Sequence, residues 1–254
     1  MRDRCTENVM ARFFVDASDV QDKSIFIRSK EDIKHIAKVL RLKEGDVIEI
    51  SDSTEWEYEA EIQYIDQDVV ELMITDKQRF AREPEVRVTL FQGIPKQSKM
   101  ETIVQKCVEL GVYSIVPVFM DRTVVVDKGK FDKKIERWQK VAAEAVKQCR
   151  RGIIPEVCDA VKSKDLPEML KEYDMVLFPY ENETGRTIKD SLRELKDKPA
   201  TIAVIIGPEG GFSDKEADSL KSCGADCVSL GKTILRTETA GMTALSMVMY
   251  ELEL

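Results

Sequence analysis

The sequence predicts an α/β protein in which a small antiparallel β-barrel precedes a layered domain built on a mostly parallel sheet. Three observations carry that reading. Between Val47 and Ile74 apolar and polar residues alternate in short runs separated by Asp- and Ser-containing turns, the pattern of antiparallel strands with one wet face. From Val86 onward, strand-length apolar runs alternate with helix-length amphipathic segments, the order that builds a parallel sheet covered by helices. From Thr201 to Leu254 one grammar occurs twice: strand, irregular loop, helix. The domains that follow are 1–76 and 86–254, joined by a linker at 77–85.

In the first domain, Arg12-Phe13-Phe14-Val15 reads as an early strand. Ser29 and Asp32 form an S-x-x-D start for a helix from Ser29 to Leu42, with Ile33, Ile36, Ala37 and Leu40 as its apolar stripe. Strands follow at Val47-Ile50, Tyr58-Ile62 and Val69-Ile74. Asp76 to Glu85 loses the alternation and carries Lys77, Arg79, Arg82 and Pro84, which marks the linker.

The second domain opens with the strand Val86-Phe91. Lys99 to Leu110 is an amphipathic helix with Ile103, Val104, Cys107 and Val108 inward and Gly111 as its C-cap. Ser114-Val118 is a strand, 131–149 a long helix, and Asp174-Phe178 a strand that ends in Pro179-Tyr180-Glu181. Thr201 then leads into the apolar run Ile202-Ile206, which breaks into Gly207-Pro208-Glu209-Gly210-Gly211-Phe212. Ser213 and Glu216 form a capping box, so a helix starts directly after the glycines. Cys227-Leu230 is a short strand, Gly231 to Arg236 a loop, and Thr237 to Leu254 an apolar helix. Loops at the ends of parallel strands line the edge where open α/β sheets bind ligands.

Composition narrows the function classes. Apolar residues make up 43% of 254, enough for a proper core. No segment has the apolar length to cross a bilayer, and the first five residues lack an apolar signal core. The six cysteines, from Cys5 to Cys227, form no C-x-x-C pair, and His35 is the single histidine. That excludes a Cys/His metal cluster and indicates a reducing cytoplasm. No G-x-G-x-x-G follows a strand and no G-x-x-x-x-G-K-[ST] occurs, which argues against dinucleotide and P-loop sites. The net charge is -8, but its distribution is uneven. Glu44 to Thr75 holds eleven acids and no Lys or Arg, whereas 28–43 and 128–151 are basic. Each basic segment is either a solvated helix face or a surface for phosphate.

Ile206-Gly207-Pro208-Glu209-Gly210-Gly211-Phe212-Ser213, followed by Leu230-Gly231-x-x-Ile234-Leu235-Arg236-x-Glu238-Thr239-Ala240, resembles the SPOUT methyltransferases. The nearest family is ribosomal RNA small subunit methyltransferase E, which methylates N3 of a uridine in 16S ribosomal RNA. Gln105-Lys106-Cys107-Val108-Glu109-Leu110-Gly111-Val112 matches that family as well, and the resemblance spans essentially the whole chain. Gln148-Cys149-Arg150-Arg151 departs from it, because the family usually has Glu at Lys147 and Gly at Arg150.

The resemblance implies a PUA-like RNA-binding barrel, a deep trefoil knot and S-adenosyl-L-methionine as cofactor, without metal. It places the cofactor against Phe178, Tyr180 and Glu181 of the first loop. From the second loop it takes Ile206, Gly207, Pro208, Gly210 and Gly211. From the third it takes Leu230, Gly231, Ile234, Leu235, Arg236, Thr239 and Ala240. It implies RNA contacts from Arg12, His35 and Arg41 in the first domain and from Lys96, Lys99, Arg122, Gln148 and Arg151 in the second. Ribosomal RNA, naked or in the assembled small subunit, is the implied partner, and no membrane is.

A uracil N3 holds its proton near neutral pH, so methylation needs a base or a cation that stabilises the developing charge. Arg236 is the candidate cation. Glu209 or Glu238 is the candidate base or its orienting group, and for Glu238 a helix-dipole role stands beside that one. Two other readings stay open: the same fold acting on transfer RNA or a ribose hydroxyl, and a non-catalytic RNA-binding protein. The intact glycine loop and Leu235-Arg236-x-Glu238-Thr239 argue against the latter. The last helix is apolar around most of its circumference, through Met242, Leu245, Met247, Val248 and Met249 among others. Such a helix is either buried in its own domain or shared with a partner, and the resemblance implies a homodimer.

Overall fold

The computed structural model describes residues 11–80, 83–126, 129 and 131–254. Cys5, Arg82, Lys128 and Lys130 lie outside the described residues. The chain divides into two compact units. The first joins the chain up to Glu83 to the later segment Arg150–Ile154, and the second takes Pro84–Cys149 and Pro155–Leu254.

In the first unit β1 (Arg12–Phe14), β2 (Val20–Gln21) and β3 (Ser24–Ile27) lead into α1 (Lys30–Lys34), and β4 (Val47–Ser51), β5 (Trp56–Ile65) and β6 (Val70–Arg79) follow. They form one six-stranded sheet in the order β1-β4-β5-β6-β3-β2, antiparallel except where β1 meets β4. Alternate residues of β3, β4, β5 and β6 turn inward, so Ile25, Ile27, Ile48, Ile50, Ile62 and Leu72 fill a single core with Ile33 and Ile36. Full burial of each such side chain stabilises by roughly 1.5–3 kcal/mol.

Three details differ from the sequence expectation. Ser29 caps the helix as expected, its Oγ accepting the Asp32 N–H at 3.3 Å. The helix then widens into a π turn over His35–Leu40 and stops at Arg41 with φ 55°. The wider winding breaks the i, i+4 stripe, so Ala37 and Leu40 face solvent while Ile33 and Ile36 stay inside. Next, β6 runs through Arg79 into the segment 77–85 expected to be linker. Its hydrogen-bonding partner is the long β5, with Trp56 opposite Arg79 and Tyr58 opposite Lys77, so ladder pairing replaces the missing hydrophobic alternation. Lastly, 150–154 belongs to the first unit rather than to the domain expected at 86–254. Glu83 accepts the N–H groups of Gly152 and Ile153 at 2.7 and 3.1 Å, and the Ser51 hydroxyl donates to the Gly152 carbonyl at 2.5 Å.

The second unit contains β7 (Arg87–Gly93), α2 (Lys99–Glu109), β8 (Ser114–Phe119), α3 (Asp132–Cys149), β9 (Glu156–Val157) and β10 (Val161–Lys162). It continues with α4 (Leu166–Met169), β11 (Met175–Pro179), α5 (Ile188–Arg193), β12 (Thr201–Ile206), α6 (Asp214–Ser222), β13 (Asp226–Val228) and α7 (Thr237–Leu252). The seven strands form one sheet in the order β10-β8-β7-β12-β11-β13, with β9 beside β8, and every pairing is parallel. Continuous apolar strands such as Ile202–Ile206 suit a sheet covered on both faces. Ala203 and Ile205 pack with Leu166 and Leu170 of the α4 region and with Ala217 and Leu220 of α6. Alternation turns Ile202, Val204 and Ile206 to the opposite face, where α7 lies against β12 and β7 and packs on α2 and α5. Ser213 and Glu216 cap α6 reciprocally, as the sequence predicts. Cys107 is fully buried, and burial pushes its thiol up to about 12, so it behaves as an inert core residue.

Arg150 adopts φ 58°, the left-handed region that glycine enters without penalty. The family that the sequence resembles usually carries Gly there, so this chain holds a side chain where the backbone favours none. Arg150→Gly is expected to raise the unfolding free energy by about 1 kcal/mol, read as a higher urea midpoint at unchanged slope.

Candidate active site

In the sheet order β12-β11-β13, three neighbouring parallel strands deliver their C-terminal loops to one edge. The loops after β11, β12 and β13 enclose a cavity of about 970 Å³ in the second unit, within the range of small-ligand sites. The loop after β12 is held down at its root. The last residue of β7, Gly93, lies so close beneath it that a Cβ there would sit 2.5 Å from the Pro208 nitrogen. The start of α7 is tied to the same loop. Thr237 donates its hydroxyl to the Gly207 carbonyl at 2.6 Å and accepts from Gln92 Nε2 at 2.9 Å, all out of water.

The cavity brings together most of the residues expected to bind cofactor. Tyr180 and Glu181 contribute from the first loop, and Ile206, Gly207, Pro208, Gly210 and Gly211 from the second. Leu230, Gly231, Ile234, Leu235, Arg236 and Ala240 contribute from the third. Phe178 is fully buried behind the wall, stacked on Tyr180 at 5.3 Å and edge-on to Phe212 at 4.8 Å. Thr239 is exposed on the first turn of α7 and does not line the cavity. Thr237, Thr187 and Lys232 line it without having been singled out. For Thr187 a signal existed, the T-x-x-D capping box with Asp190 that starts α5.

The candidate catalytic groups are arranged unequally. Lys99 Nζ lies 3.0 Å from Glu209 Oε1 and 3.2 Å from Glu238 Oε2, so one ammonium joins both carboxylates. Partial burial by itself would raise the Glu209 carboxyl. Hydrogen bonds from its own and the Lys96 backbone N–H groups, together with Lys99, outweigh it and hold the group below the usual carboxylate range. Glu209 is therefore ionised at neutral pH and a weak proton acceptor. Arg236, the N-cap of α7, reaches the cavity with no ion pair or hydrogen bond from its guanidinium to the described residues. Glu181 likewise faces the cavity with no cation beside it among the described residues. Its carboxylate lies over Gly211, where a Cβ would meet Oε1 at 2.4 Å and where φ is +67°.

The residues expected to touch RNA divide sharply. Arg12 is buried, with 5% of its side chain exposed; it is paired with Glu57 at 2.5 Å and donates to the Arg150 and Arg151 carbonyls. Arg151 is buried against Glu83 at 2.7 Å. Both guanidiniums are thus engaged by carboxylates of the first unit, and Arg12 also by backbone carbonyls. Lys99 is engaged by Glu209 and Glu238. Arg122 braces the glycine loop, donating to the Gly210 carbonyl at 2.8 Å, and a Cβ at Gly210 would meet its side chain at 2.9 Å. His35, Arg41, Lys96 and Gln148 are exposed. Among the described residues no helix is long and apolar enough to cross a membrane, and no group of His, Cys, Asp and Glu could hold a metal.

Residues 82–249 match the RNA methyltransferase domain family, and 29–72 match the RNA methyltransferase PUA domain. Ribosomal RNA small subunit methyltransferase E of Bacillus subtilis is 32% identical over 96% of this chain and 98% of its own. The crystal structure of the enzyme of that name from Neisseria gonorrhoeae, bound to S-adenosyl methionine, superposes with a TM-score of 0.83 at 26% identity, covering 95% of this chain and 97% of that one. A Legionella pneumophila protein solved with the bound cofactor SAM gives 0.80 at 31% identity over 95% and 97%.

Replacing Arg12 tests its reassignment. Arg12→Ala leaves Glu57 buried without its counter-charge and is expected to cost about 3 kcal/mol or more of stability, measured by urea unfolding of the full chain.

Proposed function

Since the chain belongs to the family of ribosomal RNA small subunit methyltransferase E, we propose that it methylates small-subunit ribosomal RNA from S-adenosylmethionine, at N3 of a uridine. The observation that carries this reading is the glycine-rich cavity at the three strand ends, with Arg236 at the start of α7 making no ion pair with the described residues. The cavity suits the cofactor. Gly210, Gly211 and Gly231 bring backbone to the cavity wall without side chains in the way, Tyr180 and Phe212 offer apolar walls, and the Glu181 carboxylate suits a cationic ligand.

S-adenosylmethionine supplies a methyl carbon on a sulfonium, which leaves readily. The protein's part is to align that carbon with the attacking nitrogen and to stabilise the charge that forms. Neither Glu209 nor Glu238 is poised as a base, since both are paired with Lys99. Uridine N3 gives its proton to water while Arg236 stabilises the negative charge spreading onto the flanking uracil oxygens. The nitrogen lone pair then bonds to the methyl carbon as the carbon–sulfur bond breaks. His35, Arg41, Lys96, Arg122 and Gln148 are the remaining candidates for RNA contact. A homodimer through the outer face of α7, where Met242 and Met247 are half-buried and Tyr250 is exposed, belongs to the same proposal.

Incubating the protein with tritiated S-adenosylmethionine and undermodified small subunits, naked 16S RNA or transfer RNA tests the reaction. Label is expected on small-subunit RNA, recovered as N3-methyluridine after digestion; label on transfer RNA or on a ribose oxygen would overturn the assignment. Arg236→Ala is expected to slow transfer by about 100-fold or more with cofactor affinity, measured by calorimetry, kept within about threefold. For the dimer, Met247→Glu should give a monomer by light scattering, because an unpaired carboxylate is costly to bury. A wild type that is monomeric and active contradicts it.

A further inference from the structure

Lys99 is the first residue of α2 and lines the cavity, and its ammonium stands between Glu209, which also lines it, and Glu238, one residue into the helix whose start lines it. Glu209 sits in the loop after β12, and Glu238 sits in the first turn of α7. Both lie within ion-pair distance of one nitrogen, so the two acids are themselves no more than about 6 Å apart, a separation at which like charges repel. Glu238 Oε2 is out of water and meets no donor in hydrogen-bond geometry, so the ammonium at 3.2 Å is what balances it.

The neighbouring charges do not substitute for Lys99. On α2, Glu101 is paired with Arg137 of α3 at 3.0 Å, and Lys106 is paired with Glu109. From the segment before α2, Lys96 offers Glu209 its backbone N–H and not its ammonium. At the N-cap of α7, Arg236 makes no ion pair with the described residues. The hydrogen bond to Glu209 raises the Lys99 ammonium above its ordinary value, with Glu238 adding to it, so the charge persists across the working range of pH.

We propose that Lys99 is a positioning residue of the cofactor cavity, its ammonium cross-linking the 207–212 loop to the start of α7 so that two mutually repelling acids hold the walls at their spacing. This rests on the reading of the cavity as the S-adenosylmethionine site. In Lys99→Met the alkyl chain remains and the cross-link is lost. Glu209 and Glu238 then repel each other with no cation between them. Without Lys99, one of the groups that holds the Glu209 carboxyl low is gone, so as pH falls Glu209 takes a proton more readily, the repulsion ends and the walls return.

The test is calorimetric titration of the full chain with S-adenosylmethionine and, separately, S-adenosylhomocysteine, which lacks the sulfonium charge. Lys99→Met is expected to weaken both ligands by about tenfold or more near neutrality, with the loss shrinking towards pH 5. Lys99→Arg and the double variant Lys99→Met/Glu238→Gln are expected to bind within about threefold of wild type, the double variant without the new pH dependence. Wild-type affinity in Lys99→Met overturns the proposal. So does a Lys99→Met chain that binds S-adenosylmethionine more tightly and S-adenosylhomocysteine unchanged, since Lys99 would then set only the cavity's charge. If Lys99→Met does not fold, recovery of the fold by Glu238→Gln supports the cross-link and failure to recover contradicts it. A wild type that binds neither ligand overturns the cofactor reading itself, and this inference with it.

Discussion

The Thr237 hydroxyl, donated to the Gly207 carbonyl while accepting from Gln92, joins three elements that are remote in sequence. Gln92 comes from the end of β7, Gly207 begins the loop after β12, and Thr237 begins α7. Each group is buried, so breaking one contact leaves its partners without water to replace it. The junction is tight enough that a Cβ at Gly241 would lie 3.2 Å from Gln92 Oε1, an oxygen that finds no donor among the described residues. With α7 seated this way, Arg236 projects at the cavity and Glu238 turns to Lys99. The geometry of the site is a consequence of how the last helix is anchored.

Charge is then distributed by pairing. Two carboxylates and one ammonium form a closed group at one side of the cavity, which leaves the Arg236 guanidinium without an ion-pair partner among the described residues. A group without a partner keeps its full capacity for charge that appears only during reaction, whereas a paired one has already used it. The same logic reverses for Arg12 and Arg151. Their carboxylates, Glu57 and Glu83, enclose them, and they serve to fasten 150–154 to the sheet of the first unit.

Much of this was legible in the sequence where local chemistry decides structure. The Ser29 cap, the Ser213 capping box, the apolar run at Ile202–Ile206 and the Gly-Pro-Glu-Gly-Gly break all produced the elements they announce. Legibility failed where a distant partner decides. The polar residues of Asp76 to Arg79 extend a strand because β5 is there to pair with them. The family resemblance puts Arg12 and Arg151 on RNA, and only the fold reveals the glutamates that pair with them. The π turn at His35–Leu40 shifts two side chains outward without any Gly or Pro to signal it. Lys99 read as an RNA contact because the two acids that hold it lie more than a hundred residues away along the chain.

Hydrogen–deuterium exchange of the whole protein with and without S-adenosylhomocysteine shows whether the three strand-end loops of the second unit form one cofactor site. The ligand is expected to slow exchange together in 180–187, 206–212 and 229–240, while 20–27 and 47–79 of the first unit exchange unchanged. Protection confined to the first unit, or to one of the three loops alone, would contradict it.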